Sequence, residues 1–356
     1  MSKSKISTFQ FFSMLFLTRL LTTFTYIPSY TKDIELSDLV VQAVLRYLIC
    51  VVMMIPVYFL FKRNPDMNIL DIVRNKWAKG GKILAVFYSA VLFYFTVTTV
   101  SRLDLFTGTI VFPETNVNYF LVFVILIGCY GAYLGIEALG RSAVLSVIPV
   151  TAALVFIIAT LIGKIDFLNY TPVFYKGVLP VFKTALNAAG RTVELVMITL
   201  AIPVASGKKT KSFFIWIFLQ ALVTASLFFV EVGVMGNFTN TQLFPVHSLA
   251  ALAKFSMFGR LDPLITGIWI LCAFLKVSFL LYLQGDILHK EFENLSKKTI
   301  LAGLGALSSV ICLYIAGSVQ RFTVVDNSLA KLIATVLAAT VIPAVMLVFN
   351  RRKKYE

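Results

Sequence analysis

Two opposite charges sit inside one apolar stretch of this sequence. Residues 185–206 carry Arg191 and Glu194, three positions apart, in a run long and apolar enough to cross a bilayer. On a helix, that spacing lets the two charges meet as an ion pair on one face. A charge at membrane depth costs at least about 2.5–3.5 kcal/mol, so such residues turn toward a protein interior or a wet cavity. Gly190 precedes the pair, after Ala188 and Ala189. There a helix can break and offer backbone groups to a solute. The residues allow two readings: a structural brace near the outer end of an ordinary span, or one wall of a solute pocket. Lys276 raises a similar choice. It lies well inside another apolar run, where it can snorkel to the interface, pair with a carboxylate on another helix, or replace a sodium ion. Arg19, Thr22 and Thr23 in the first run and Tyr94, Thr98 and Thr99 in the third add polar groups. These either line a cavity or bond within and between helices.

Catalysis has no such support. The two histidines, His247 and His289, fall on opposite sides of the membrane in the topology below, and the sequence has no Gly-rich phosphate loop and no metal-type cluster. Neither catalytic residues nor a metal or cofactor are expected. Cys50, Cys129, Cys272 and Cys312 all lie in apolar runs without ligand spacing and read as small buried residues.

Composition places the chain in a membrane. Of 356 residues, 59% are hydrophobic and 14% charged, with mean hydropathy +0.88; soluble domains carry about 25% charged residues. The formal charge of +15 would suggest nucleic acid in a soluble chain. Here the basic residues gather at the ends of apolar runs and read as topology signals, with no nucleic-acid partner. At about 20 apolar residues per crossing, ten spans are expected, roughly 8–29, 37–60, 83–101, 118–134, 142–163, 185–205, 212–235, 263–283, 299–317 and 329–349. With a cytoplasmic N-terminus, the inner segments carry 19 Lys and Arg and the outer segments 9. Both termini are therefore expected inside. The basic loop over 62–82 is expected to hold a short amphipathic helix against anionic lipid or to stay a solvated loop. Glu231, near the outer end of the seventh span, reads as interfacial.

The first and sixth spans run in opposite directions and end alike, in Ile27-Pro28 and Ile202-Pro203, 175 residues apart. With the even split of ten spans, this predicts an all-α, single transmembrane domain over 1–356, built as an inverted five-plus-five repeat. Repeat one covers about 1–163 and repeat two about 185–350.

Several motifs resemble one known family, the B subunits of spore germinant receptors, the endospore germination permeases of the amino acid–polyamine–organocation superfamily. Ile6-Ser7-Thr8-Phe9-Gln10 is similar to its Ile-Ser-x-x-Gln start, and Gly135-Ile136-Glu137-Ala138-Leu139-Gly140-Arg141 to its Gly-Ile-Glu-x-x-Gly-Arg loop. Glu194 followed by Pro203 is similar to its sixth helix. Phe258-Gly259-Arg260-Leu261-Asp262 before Trp269 resembles its Arg-Leu-Glu motif, with Asp for Glu. Thr22-Thr23 stands where the family has a Gly-rich stretch. The resemblance implies a LeuT-like fold with a site between helices one, three, six and eight. It also implies a nutrient sensor acting with an A-type subunit and a lipoprotein C-type subunit in the spore inner membrane. Its expected ligand is a small amino acid or similar polar solute. Thr22, Thr23, Gly190 and Glu194 are expected as closest contacts, with Tyr94 and Lys276 on the far walls. Glu137 and Arg141, at i,i+4 on the cytoplasmic side, suit a gate or a partner contact. A stand-alone secondary transporter of an amino acid or amine is the alternative function.

Overall fold

The computed structural model describes residues 5–65, 67–75, 77–114, 118–253, 261–316 and 318–349. The chain opens with β1 (Ile6–Ser7) and α1 (Thr8–Phe24). The second span is α2 (Leu39–Met53) continued by α3 (Ile55–Arg63). A short α4 (Ile69–Arg74) precedes the long α5 (Ala78–Phe106), followed by α6 (Asn118–Leu134) and α7 (Ile136–Leu161). The second half opens with α8 (Val178–Gly190), α9 (Glu194–Ala201) and β2 (Ala205–Ser206). Next come α10 (Lys209–Met235), the short α11 (Pro245–Leu252), the long α12 (Asp262–Glu291) and α13 (Lys297–Ile315). The last span is α14 (Val319–Val325) and, past Asp326 and Asn327, α15 (Ser328–Val336), which runs through a π-helical turn at Leu337–Val341 into α16 (Ile342–Phe349).

Among the described residues, seven helical segments are long and apolar enough to cross a membrane, and the bent pair α8–α9 makes an eighth. α1 and α6, of 17 residues each, complete ten; each is about 25 Å long at 1.5 Å per residue. Both halves show the same order: two spans, a short helix, a long span, two spans. Five spans per half make equivalent spans run antiparallel, which is the inverted repeat. Packing repeats too, since α1 lies on α7 as α8 lies on α15, while the long α5 and α12 pack on each other at the centre. Both Ile-Pro pairs lie at the ends of their spans. Each opens a 3-10 turn, but Pro28 follows α1 directly whereas Pro203 follows α9, the far half of its span.

Local chemistry sets the boundaries. Ser7 caps α1 by accepting from Gln10 N at 3.1 Å, and Gln10 Oε1 accepts from Ser7 N at 2.9 Å, a capping box. Asp262 and Pro263 begin α12, as proline at the first turn favours. In the 62–82 loop, Asn68 caps α4, which packs against α5. Gly128 and Gly131 bring α6 against α12, where an added Cβ would lie 2.6 Å from Val277 Cγ1 and 2.5 Å from Ser278 Oγ.

The core lies at the centre of the bundle. Every residue of α9 is buried, and so are thirteen of the seventeen in α1; helices apolar all round belong inside. The exposed apolar residues, such as Leu145, Ile148 and Tyr119, stand on outer spans. Glu231, one turn before the end of α10, is fully buried on a helix that packs on α2.

Candidate functional site

The sixth span breaks where the small residues stand. α8 ends at Gly190, α9 starts at Glu194, and the two halves meet at 45°. The break frees carbonyls that need donors in a membrane interior. Thr335 Oγ1 donates to Gly190 O at 2.7 Å, and Arg19 Nη1 donates to Arg191 O at 3.1 Å. In the first span, α1 stops at Phe24, and Thr25 Oγ1 back-bonds to Leu21 O at 2.8 Å.

Lys276, midway along α12, ties α1 to the broken sixth span. Its Nζ donates to Glu194 Oε1 at 3.0 Å, Thr22 Oγ1 at 2.8 Å and Thr18 O at 3.3 Å. Arg19 Nη1 lies 3.9 Å from Glu194 Oε2. All three charged side chains are buried. Their pairing lets two helices meet a third without leaving an isolated charge in the low-dielectric interior.

A second polar layer lies one level further along the bundle. Asp326, between α14 and α15, accepts from Arg102 Nη2 at 2.6 Å, from Lys331 Nζ and from the Tyr30 hydroxyl. Arg102 also donates to Tyr30 Oη at 2.8 Å. Burial pushes the Tyr30 phenol, which lies between the first two spans, up to about 12, so it remains a donor. The Arg191 guanidinium lies over the Tyr30 ring at 4.0 Å and reaches Ser328 Oγ at 3.5 Å. Between the two layers is a cavity of about 30 Å³, bounded by α1, α5, α12, α15 and the break after α8. It has room for about two water-sized groups.

These positions revise several expectations. Arg191 and Glu194 do not form an ion pair. The helix is broken between them, so i,i+3 geometry is lost; Glu194 turns to Lys276 and Arg191 to Tyr30. Thr22 and Lys276 line the cavity, whereas Thr23, Gly190, Glu194 and Tyr94 do not. Thr23 is buried beside it. Gly190 is a packing contact: an added Cβ would lie 2.4 Å from Leu332 Cα. Glu194 stands behind Lys276. Tyr94 donates to Val325 O at 2.8 Å, joining α5 to α14. Glu137 and Arg141 approach to 3.8 Å at the exposed start of α7. Phe258, Gly259 and Arg260 lie outside the described residues, as do Lys3, Arg351, Arg352, Lys353 and Lys354.

Arg102, Lys331, Asp326 and Tyr30 were not apparent from the sequence. The third span extends through Phe106 into a π-helical turn at Thr107–Val111, so Arg102 is inside a helix that was expected to end at 101. The apolar residues Leu103, Leu105 and Phe106, which continue past Arg102 and Asp104, were the available signal.

A model of the family described as "Spore germination protein" matches residues 5–319. The chain belongs to the spore germination protein family. A Bacillus subtilis (strain 168) protein, YfkT, whose name assigns it to spore germination, is 26% identical over 275 residues, 75% of each chain. Among solved structures, the chain is similar to a substrate-bound, outward-open Na+-coupled sialic acid symporter. That match has 12% identity and a TM-score of 0.64, and covers 98% of this chain and 91% of that one. It is also similar to MHP1, a nucleobase-cation-symport-1 family transporter, in a closed conformation with bromovinylhydantoin bound. That match has 13% identity and a TM-score of 0.66, and covers 94% of this chain and 78% of that one. At such identities the likeness shows the fold, a LeuT-like transporter fold. In this spore germination protein, two of the quoted motifs meet at one end of the bundle. Ile6–Ser7 pairs with Ala205–Ser206, and Gly140 comes so close to Gln10 that an added Cβ would lie 3.2 Å from its Cβ.

Proposed function

We propose that this chain is the membrane subunit of a spore germinant receptor, binding a small solute in the central cavity and signalling its occupancy to partner subunits. The observation that carries the proposal is the junction at Lys276, a single ammonium bound to both α1 and the broken sixth span at the edge of the cavity. A solute that competes for that ammonium changes how α1, α9 and α12 hold together. Binding can thus shift a conformational equilibrium by its differential contacts with the two states. Partners of the A type and lipoprotein C type in the spore inner membrane, with both termini on the core side, complete the proposal. Glu137 and Arg141, exposed at one end of the bundle, suit a contact with such a partner.

Spores carrying Thr99→Leu test it. This variant fills the cavity from α5 without touching an ion pair, and it is expected to raise the effective nutrient concentration at least about tenfold, equivalent to about 1.4 kcal/mol. An unchanged dose–response curve rejects the cavity as the sensor site. The second reading, a stand-alone secondary transporter of an amino acid or amine, is favoured by the near-complete overlap with two transporter structures. Uptake of labelled solute by the purified chain alone in liposomes would establish it; no uptake, with a response that requires partner subunits, favours the receptor.

A further inference from the structure

The charges around the cavity point to the class of solute. Five cationic side chains surround it: Arg19, Arg102, Arg191, Lys276 and Lys331, all buried. Four of them line it directly. Two carboxylates oppose them, and both are already engaged. Asp326 serves Arg102, Lys331 and Tyr30. Glu194 Oε1 accepts from Lys276, and its Oε2, 3.9 Å from Arg19, accepts no hydrogen bond but does not line the cavity. Among the described residues, no carboxylate lines the cavity. The cluster therefore holds three more cations than anions. Arginine does not deprotonate in proteins, so three guanidinium groups against two carboxylates leave a positive excess even if both lysines were neutral.

Arg191 concentrates this excess. It is 9% exposed and lines the cavity. Its side-chain contacts are the Tyr30 ring face at 4.0 Å and Ser328 Oγ at 3.5 Å; among the described residues no carboxylate reaches ion-pair distance of it, and Asp326 acts on it only from farther away. A buried guanidinium without an acid is costly. Its planar fork of donors matches a carboxylate.

We infer that the cavity binds the carboxylate of a small organic anion, held by Arg191 with Lys276 and Lys331 beside it and hydroxyls of Thr22 and Thr99 on its walls. The inference rests on the proposed solute site and specifies its ligand. An ammonium would find no free acid there and would enter a positive field, so an amine or the ammonium of a zwitterion is disfavoured. Glu194, expected as a close ligand contact, does not line the cavity. The cavity admits only a compact group as it stands, and larger anions require it to widen.

Thermal unfolding of the purified full-length protein in lipid nanodiscs, with defined probes, tests the inference. The probes are propionate and succinate (carboxylates without an ammonium), L-alanine (a zwitterion), L-alaninamide (no carboxylate) and putrescine (a diamine). Propionate and succinate are expected to raise the melting midpoint by about 3 °C at roughly a hundredfold excess over Kd. L-alanine should act more weakly, and alaninamide and putrescine should have no effect. Arg191→Gln should abolish the carboxylate effect. Thr99→Leu, which leaves every charge in place, should abolish it too, and so covers the case in which Arg191→Gln does not fold. A shift with alaninamide or putrescine that Thr99→Leu removes overturns the anion inference but leaves the solute site standing. A carboxylate shift that survives Thr99→Leu overturns the inference as nonspecific. The absence of any Thr99-dependent shift with all five probes removes both the inference and the solute site.

Discussion

Lys276 Nζ and Glu194 Oε1 meet at 3.0 Å across 82 residues of chain, and their contact joins α12 to the start of α9 just past the break in the sixth span. Each is buried and each has other polar neighbours, Thr22 and Thr18 for Lys276 and Arg19 for Glu194. The pair closes one side of the cavity.

Removing one member strands the other. Lys276→Met leaves Glu194 with Arg19 alone at 3.9 Å and is expected to cost about 3–5 kcal/mol. Lys276→Met combined with Glu194→Gln should recover at least half of that loss. Thermal unfolding of the two singles and the double gives the coupling; a strictly additive double would show that the contact carries no energy.

Gly190 tests packing against ligand contact. An added Cβ would lie 2.4 Å from Leu332 Cα and 2.7 Å from Leu332 Cβ, so Gly190→Ala is expected to lower stability by about 1–3 kcal/mol through overpacking. Because the nearest obstruction is backbone, Leu332→Ala should not rescue it. Rescue to parental melting temperature would locate the strain in the side chain instead.

Asp326 gathers Arg102, Lys331 and Tyr30 over the cavity. Asp326→Asn removes the acid from two buried cations and should loosen that layer. In a background with Cys50, Cys129, Cys272 and Cys312 replaced by alanine, a cysteine at Thr99 should then react faster with an impermeant maleimide added from the Asp326 side. An equal rate with Asp326 intact would mean that the layer does not limit access.

Topology has its own check. Single cysteines at Lys62 or Trp77, both in the basic loop, are expected to be labelled only from the cytoplasmic side, as is a cysteine in the C-terminal tail. Labelling of any of them from outside contradicts the ten-span orientation.

The spans were legible because twenty-residue apolar runs have few alternatives, and the sixth-span break was legible in Ala188-Ala189-Gly190. Lys276 could be recognised as a buried charge, with a carboxylate on another helix among its possible partners. The choice of that carboxylate was not legible. Sequence spacing pairs Glu194 with Arg191 only if the helix is continuous, and the break that the same residues cause rotates the two apart. Arg102 and Lys331 stand at the ends of apolar runs, which blur by several residues, so their place inside the bundle was not legible. Side chains five residues apart, such as Asp326 and Lys331, become neighbours only once the last span has broken at Asp326–Asn327.

β1 and β2 add a mechanical constraint. Two residues from each, 200 positions apart, run side by side, so the head of α1 and the tail of the α9 segment are buttoned together at one end of the bundle. Any opening toward that end must swing both as one lever or unfasten the button. Amides at Ile6 and Ala205 would then exchange hydrogen at a common rate, acting as a gauge of how often that door stands ajar.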